Sequence, residues 1–108
     1  YLEMFRSLNL IKQLPTDTQI YCGHEYTQNN LNFCVKYDID NNNLKMKKKW
    51  IAAKINQKLP TIPITVKEEL NTNIFLRCDN YVVKKSLGME NSTELEVFKK
   101  LRDLKDVF

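Results

Sequence analysis

The sequence lacks the features that mark several common classes of protein. No stretch approaches the ~18 consecutive apolar residues of a membrane-spanning helix. Cys22, Cys34 and Cys78 are odd in number and widely spaced, which fits neither a disulfide framework nor a CxxC metal site. The cysteines therefore indicate reduced thiols in an intracellular protein. We expect a cytoplasmic location, with mitochondria as the alternative.

Charge limits the range of partners. With 43% hydrophobic and 28% charged residues, the chain is typical of a soluble globular domain. The net charge of +4 favours either an anionic ligand, such as nucleic acid or a small acidic substrate, or an ordinary solvated surface. The densest basic cluster is Lys45 with residues 47–49. Because no zinc-finger spacing, aromatic-rich strand or Gly-rich RNA motif accompanies it, we expect neither nucleic acid nor membrane as a partner.

Apolar spacing predicts a mainly α fold. Residues 1–12 repeat apolar side chains with a helical period. The last helix is expected over about residues 94–106, after a capping box formed by Thr93 and Glu96. The other predicted helices cover residues 29–37, 44–58, a short segment that follows a capping box at Thr65, and 79–87 with Gly88 as its C-terminal cap.

A single β-strand is predicted over residues 18–22, where the sequence Thr-Gln-Ile-Tyr-Cys is β-prone. One strand cannot satisfy its own backbone hydrogen-bonding groups. We therefore expect this strand to pair with a sheet that the chain does not contain, and everything else to be helical.

The predicted helix over residues 44–58 has apolar side chains on two faces. Such a pattern favours a helix that is wedged between two others, with lysine stems covering the gaps. One face carries Leu44, Ile51 and Ile55, and the opposite face carries Met46, Trp50 and Ala53.

The turn after the predicted strand carries the strongest indication of function. It contains His24, the only histidine, and Tyr26. Ligands of open α/β sheets bind outside the carboxyl ends of the strands, which is where this turn lies. From the residues alone, His24 is either a metal ligand or a turn histidine bonded to the backbone. Tyr26 is by the same reasoning a core aromatic with its hydroxyl at the edge.

Five segments in order resemble glyoxalase II, the hydroxyacylglutathione hydrolase of the metallo-β-lactamase superfamily. The resemblance covers the C-terminal part of that family only. It implies that residues 1–28 are the last helix–strand–helix piece of the αββα sandwich, and that 29–108 are the C-terminal helical domain. The segments are Leu14–Thr18, Gly23–Thr27 with Asn30–Phe33, Pro60–Pro63, Glu68–Arg77 and Leu101–Phe108.

The resemblance implies a metal-dependent thioester hydrolase. Its reaction converts an S-(2-hydroxyacyl)glutathione, typically S-D-lactoylglutathione, to a 2-hydroxy acid such as D-lactate and glutathione. Two divalent metal ions, with zinc, iron and manganese as the candidates, orient a hydroxide and polarise the carbonyl. By the match, His24 is a metal ligand and is catalytic through that metal. The family's His-x-His-x-Asp-His motif belongs to the N-terminal metallo-β-lactamase domain, so residues 1–108 alone are expected to be inactive.

The last predicted helix carries a candidate anion site. Arg102 and Lys105 are an i, i+3 pair beside the apolar stripe and lie within reach of a common anion. From spacing alone they could equally be helix-end cations that complement the macrodipole. The resemblance implies that both bind the carboxylate end of glutathione, and that Tyr26 hydrogen-bonds to glutathione. The predicted stripe consists of Val97, Phe98, Leu101, Leu104 and Phe108.

A function of a different class also fits these residues. The chain could be a non-catalytic helical module that binds an anion or another protein. An intact His-x-His-x-Asp-His motif in the same polypeptide would distinguish the enzyme from such a module.

Overall fold

The structure, a computed structural model, describes residues 1–20, 27–59 and 63–108. That part of the chain is mainly helical, as the sequence predicts, and has two short strands. In chain order the elements are α1 (Leu2–Lys12), β1 (Gln19–Ile20), α2 (Thr27–Tyr37), α3 (Asn42–Asn56), β2 (Ile64–Thr65), α4 (Val66–Thr72), a 3-10 turn (Ile74–Leu76), α5 (Tyr81–Ser86) and α6 (Glu94–Asp106).

Local capping explains where the helices begin and end. Thr93 Oγ1 accepts a hydrogen bond from the Glu96 backbone while the Glu96 carboxylate accepts one from the Thr93 backbone, so the predicted capping box opens α6. The hydroxyl of Thr65 accepts from the backbone of Glu68 at the start of α4. After α5, Gly88 has φ +67°, a left-handed conformation that glycine adopts without steric cost. The sequence therefore predicted the starts of α6 and α4 and the end of α5.

The strand prediction was wrong in one respect. β1 does have a partner in this chain, because it pairs antiparallel with β2, with Gln19 opposite Thr65 and Ile20 opposite Ile64. Backbone hydrogen bonds from Val66 to Thr18 and from Lys67 to Thr16 extend the pairing. The second strand escaped prediction because it has two residues between a proline segment and a helix, too few for an alternating pattern to appear.

The core forms where α2, α3 and α6 meet the 3-10 turn. Phe98 and Leu101 on α6 are fully buried, which confirms the centre of the predicted stripe. Phe33 on α2 is also fully buried, beside the buried Leu31 and Cys34 of the same helix. At the end of the stripe the prediction was wrong, since Phe108 is 49% exposed.

The prediction that α3 is wedged between two helices was also wrong. Leu44 and Ile51 are buried, but Ile55 and the opposite face are exposed, with Met46 at 69% and Trp50 at 42%. The apolar pattern overestimated burial because side chains such as methionine and tryptophan also occur singly on surfaces. In the described part of the chain, no helix is both long and apolar enough to cross a membrane.

Candidate functional site

Three aromatic rings surround Phe33, and the four rings together form the floor of the candidate site. The Phe33 ring stacks on Phe75 at 5.7 Å between centroids, meets Phe108 edge-on at 5.3 Å, and lies 5.1 Å from Tyr37. Such offset and edge-on geometries are favoured by the ring quadrupoles. We call these four side chains the Phe33 cluster. They join α2, the 3-10 turn and the end of α6.

Both predicted anion-binding residues lie against this cluster. The guanidinium carbon of Arg102 is 5.5 Å from the centre of Phe75. The amino group of Lys105 is 5.9 Å from the centres of both Phe33 and Phe108. Ring faces attract cations, so the rings hold the two side chains in place. The structure thus brings Arg102 and Lys105 to one aromatic surface.

Arg102 has unused hydrogen-bonding capacity. Its Nε is buried and has no hydrogen-bond partner among the residues that the structure describes. Its Nη2 lies 3.8 Å from Asp106 Oδ1, and the Asp106 side chain is 57% exposed, so the pair is a weak one. An unsatisfied buried donor costs roughly 1–3 kcal/mol. An oxyanion at this position would remove that cost.

A third cation, Lys36, lies on the same cluster and was not identified from the sequence. Its amino group is 5.4 Å from the centre of Tyr37 and 5.7 Å from that of Phe108. Lys36 is in the last turn of α2, far along the chain from Arg102 and Lys105. No spacing rule connects the two helices, so only the fold could reveal this proximity.

Two of the predicted site residues, His24 and Tyr26, lie outside the described residues. Their assignments as metal ligand and glutathione-binding residue stay predictions. Within residues 1–20, 27–59 and 63–108, no three His, Cys, Asp or Glu side chains are grouped so as to hold a metal ion. The described side chains therefore do not fit a two-metal centre by themselves.

The two described cysteines are not candidate nucleophiles. Burial raises the pKa of Cys34 from 9.0 to about 11 and that of Cys78 to about 12. The thiolate is the reactive form, and its population at neutral pH is correspondingly small. Neither side chain belongs to a reactive site.

A surface cavity of about 360 Å³ lies between α3 and α4, away from the Phe33 cluster. Met46, Trp50 and Pro63 supply its apolar lining. Its one lysine, Lys47, already forms an ion pair with Glu69 at 3.2 Å, and both side chains are largely buried. The positive charge of Lys47 is therefore already neutralised within the fold.

Fold and site together define a mainly helical domain that presents cations on an aromatic surface. Residues 25–108 match the family model described as the hydroxyacylglutathione hydrolase C-terminus, and the chain belongs to this family. The match starts at Glu25, so it covers all the elements from α2 onward.

Similar proteins carry the same name over longer chains. The chain is 53% identical over its whole length to a hydroxyacylglutathione hydrolase of Pelagibacter ubique, of which it covers 39%. It is 46% identical to that of a Chelativorans species and 42% identical to that of Brucella ovis, in each case over 97% of this chain and 41% of the relative. The chain thus spans about two fifths of the length of these relatives.

Proposed function

We propose that this chain is the C-terminal part of a thioester hydrolase that converts an S-(2-hydroxyacyl)glutathione to glutathione and a 2-hydroxy acid. S-D-lactoylglutathione, which gives D-lactate, is the proposed substrate. The observation that carries the proposal is the arrangement of Arg102 and Lys105 on the Phe33 cluster, with a buried Arg102 donor left unpaired in the described part of the chain. The names of the similar proteins support the same reaction.

The proposed role of Arg102 and Lys105 is to anchor one carboxylate of glutathione. A guanidinium offers several donors in a fixed plane that matches a carboxylate, and an ammonium adds a second positive charge. Both groups would act on a part of the substrate that is remote from the scissile thioester. Such contacts orient the substrate and lower KM when they are equally strong in the ground and transition states.

Residues outside the described part complete the proposal. We assign Tyr26 as a hydrogen-bonding partner of glutathione and His24 as a ligand of one of two divalent metal ions. Because the described side chains form no metal-binding group, the remaining ligands would come from the rest of a longer polypeptide. His24→Ala in the full-length protein should then lower metal content and reduce kcat more than glutathione affinity. Full metal content with near-normal kcat would leave His24 as a turn residue.

The test of the anchor compares Arg102→Ala and Lys105→Ala in the full-length protein. A charge-assisted hydrogen bond is worth roughly 1.5–3 kcal/mol, so each change should lower kcat/KM about 10- to 100-fold, mainly through KM. Lys100→Ala is the matched control, because Lys100 lies exposed on the same helix. Added salt should weaken substrate binding by the wild type more than by the double variant.

Two other outcomes would contradict the proposal. If Arg102 and Lys105 only complement the helix macrodipole, each substitution will lower the free energy of unfolding by about 0.3–1 kcal/mol and leave KM unchanged. An unchanged KM in both variants would remove the glutathione role from α6. A full-length protein without thioester hydrolysis would instead support the non-catalytic anion-binding or protein-interaction module.

A further inference from the structure

We propose that Lys36 binds the second carboxylate of the glutathione moiety, at the opposite end of the Phe33 cluster from Arg102. This inference rests on the proposed function, since it extends the same binding surface from one carboxylate to two. It adds a specificity residue from α2 to the two cations that α6 supplies.

The order of rings and cations is the main observation. Phe33 lies between Phe75, at 5.7 Å, and Phe108, at 5.3 Å. Arg102 contacts the Phe75 end of this row, and Lys36 contacts the Phe108 end at 5.7 Å. The positive charges are thus spread along the row rather than gathered at one point.

Lys105 links the two ends of the surface. Its amino group is 5.9 Å from the centre of Phe33 and 5.9 Å from that of Phe108, the ring that Lys36 also contacts. Phe108 is 49% exposed, so a ligand in solution can reach this ring and the two amino groups beside it. Phe33 itself is fully buried, so the accessible part of this surface is the Phe108 ring with the two amino groups beside it.

Ion pairs elsewhere in the fold show which cations are already neutralised. Lys47 and Arg77 are each paired with a largely buried carboxylate, Glu69 at 3.2 Å and Asp38 at 2.6 Å. In the part of the chain that the structure describes, no carboxylate lies within ion-pair distance of Lys36. Its positive charge is neutralised by no described side chain and stays available to an anion.

The chemistry of the proposed substrate matches this spread of charge. Glutathione is a tripeptide with one carboxylate at each end, and an extended tripeptide spans about 10 Å. A single cluster of cations would hold one end only. Cations at both ends of a row of aromatic rings can hold both ends, while the exposed Phe108 ring contacts an apolar part of the ligand between them.

The first experiment measures KM for S-D-lactoylglutathione with full-length Lys36→Gln and Lys36→Arg. Because Lys36 is exposed, Lys36→Gln should raise KM roughly 2- to 5-fold with kcat unchanged. Lys36→Arg keeps the charge and should restore KM. Lys100→Gln, an exposed lysine away from the cluster, should have no effect. If Lys36 only complements the α2 macrodipole, the Gln variant will melt slightly earlier and its KM will be that of the wild type, which overturns the inference.

The second experiment uses a substrate whose glycine carboxylate is esterified. If Lys36 and the Arg102–Lys105 pair hold different carboxylates, the ester will remove the KM effect of one substitution and leave that of the other. An ester that removes both effects, or neither, contradicts separate binding of two carboxylates.

Failure of the proposed function is distinguishable from failure of this inference. Absence of thioester hydrolysis in the wild-type full-length protein would contradict the proposed function. Lys36 would then be judged by calorimetry with free glutathione, where Lys36→Gln must weaken binding by a similar factor. Unchanged glutathione binding, or none by the wild type, would overturn the role of Lys36.

Discussion

Arg77 donates a hydrogen bond from Nε to Asp38 Oδ2 at 2.6 Å, which ties the end of the 3-10 turn to the loop between α2 and α3. The Asp38 side chain is 1% exposed, and the amide of Asn41 donates to the same oxygen at 3.0 Å. A carboxylate this deeply buried is stable only when paired and hydrogen-bonded. The contact fixes α2 relative to the 3-10 turn, and hence Lys36 relative to Phe75.

Arg77→Ala should therefore destabilise the fold strongly. Removing one partner leaves a buried charge without compensation, which costs about 3–5 kcal/mol. Chemical denaturation of the full-length protein and of the variant measures the loss. Arg6→Ala is the control, because Arg6 is exposed on α1, and it should change stability by less than about 0.5 kcal/mol. Equal effects of the two substitutions would show that the Asp38 contact does not stabilise the fold.

Phe98→Ala should open the core beneath the Phe33 cluster. Phe98 is fully buried and packs its ring against Phe5 at 5.4 Å and Phe75 at 5.9 Å. Truncation of a buried phenylalanine costs about 3–5 kcal/mol through lost contacts and a residual cavity. Leu10→Ala, at a residue that is 66% exposed, is the control. A loss below about 1 kcal/mol would mean that Phe98 is not part of a close-packed core.

Thr93→Ala tests the capping box that opens α6. The change removes a hydroxyl that accepts from the Glu96 backbone at 3.2 Å, and should cost about 1 kcal/mol. Thr93→Ser keeps the hydroxyl and should retain most of the stability. The thermal midpoints of the two variants give the comparison. A midpoint of the Ala variant equal to that of the wild type would contradict a stabilising cap.

We expect the protein to lose stability at alkaline pH because Cys34 and Cys78 are buried. A pKa raised from 9.0 to about 12 means that folded Cys78 keeps its proton where the unfolded chain has lost it. The stabilisation from this thiol is fully present below pH 9 and is lost as pH rises toward about 12, by roughly 1.4 kcal/mol per pH unit. Cys78→Ala removes this titration. The free energy of unfolding, measured with urea at several pH values between 9 and 11, should therefore fall less steeply with pH for the variant than for the wild type. An equal dependence on pH would contradict the burial effect.

Reactivity provides a second check on the same groups. Cys34, with a pKa of about 11, holds roughly one thiolate per thousand thiols at pH 8. Alkylation followed by peptide mapping should label Cys34 and Cys78 slowly in the native protein and rapidly after denaturation. Fast native labelling of either residue would contradict its burial.

Local rules predicted the helices well because their signals lie within a few residues. Thr93 with Glu96, and Gly88 after α5, are start and stop signals that act over a single turn. Burial over longer stretches was less predictable. Met46 and Trp50 fit an apolar stripe by spacing, yet only the positions of neighbouring helices decide whether such a stripe is covered, and here it is exposed.

The candidate site also has a part that the sequence predicted and a part that it did not. Arg102 and Lys105 share one helix, so their spacing predicted that they would lie together. Lys36 joins them through tertiary packing of α2 on the Phe33 cluster, which no sequence period encodes. His24 and Tyr26 lie outside the described residues, so their roles are untested and depend on the resemblance.

The exposed Trp50 can serve as an intrinsic fluorescence probe. It is the single tryptophan of the chain, is 42% exposed, and lines the cavity between α3 and α4. The centre of its ring lies 5.2 Å from the Lys54 amino group. Indole fluorescence shifts to shorter wavelength when water is removed from the ring. Within this chain, a blue shift of the emission therefore signals that something has covered this face of α3, whereas binding confined to the Phe33 cluster leaves the emission unchanged.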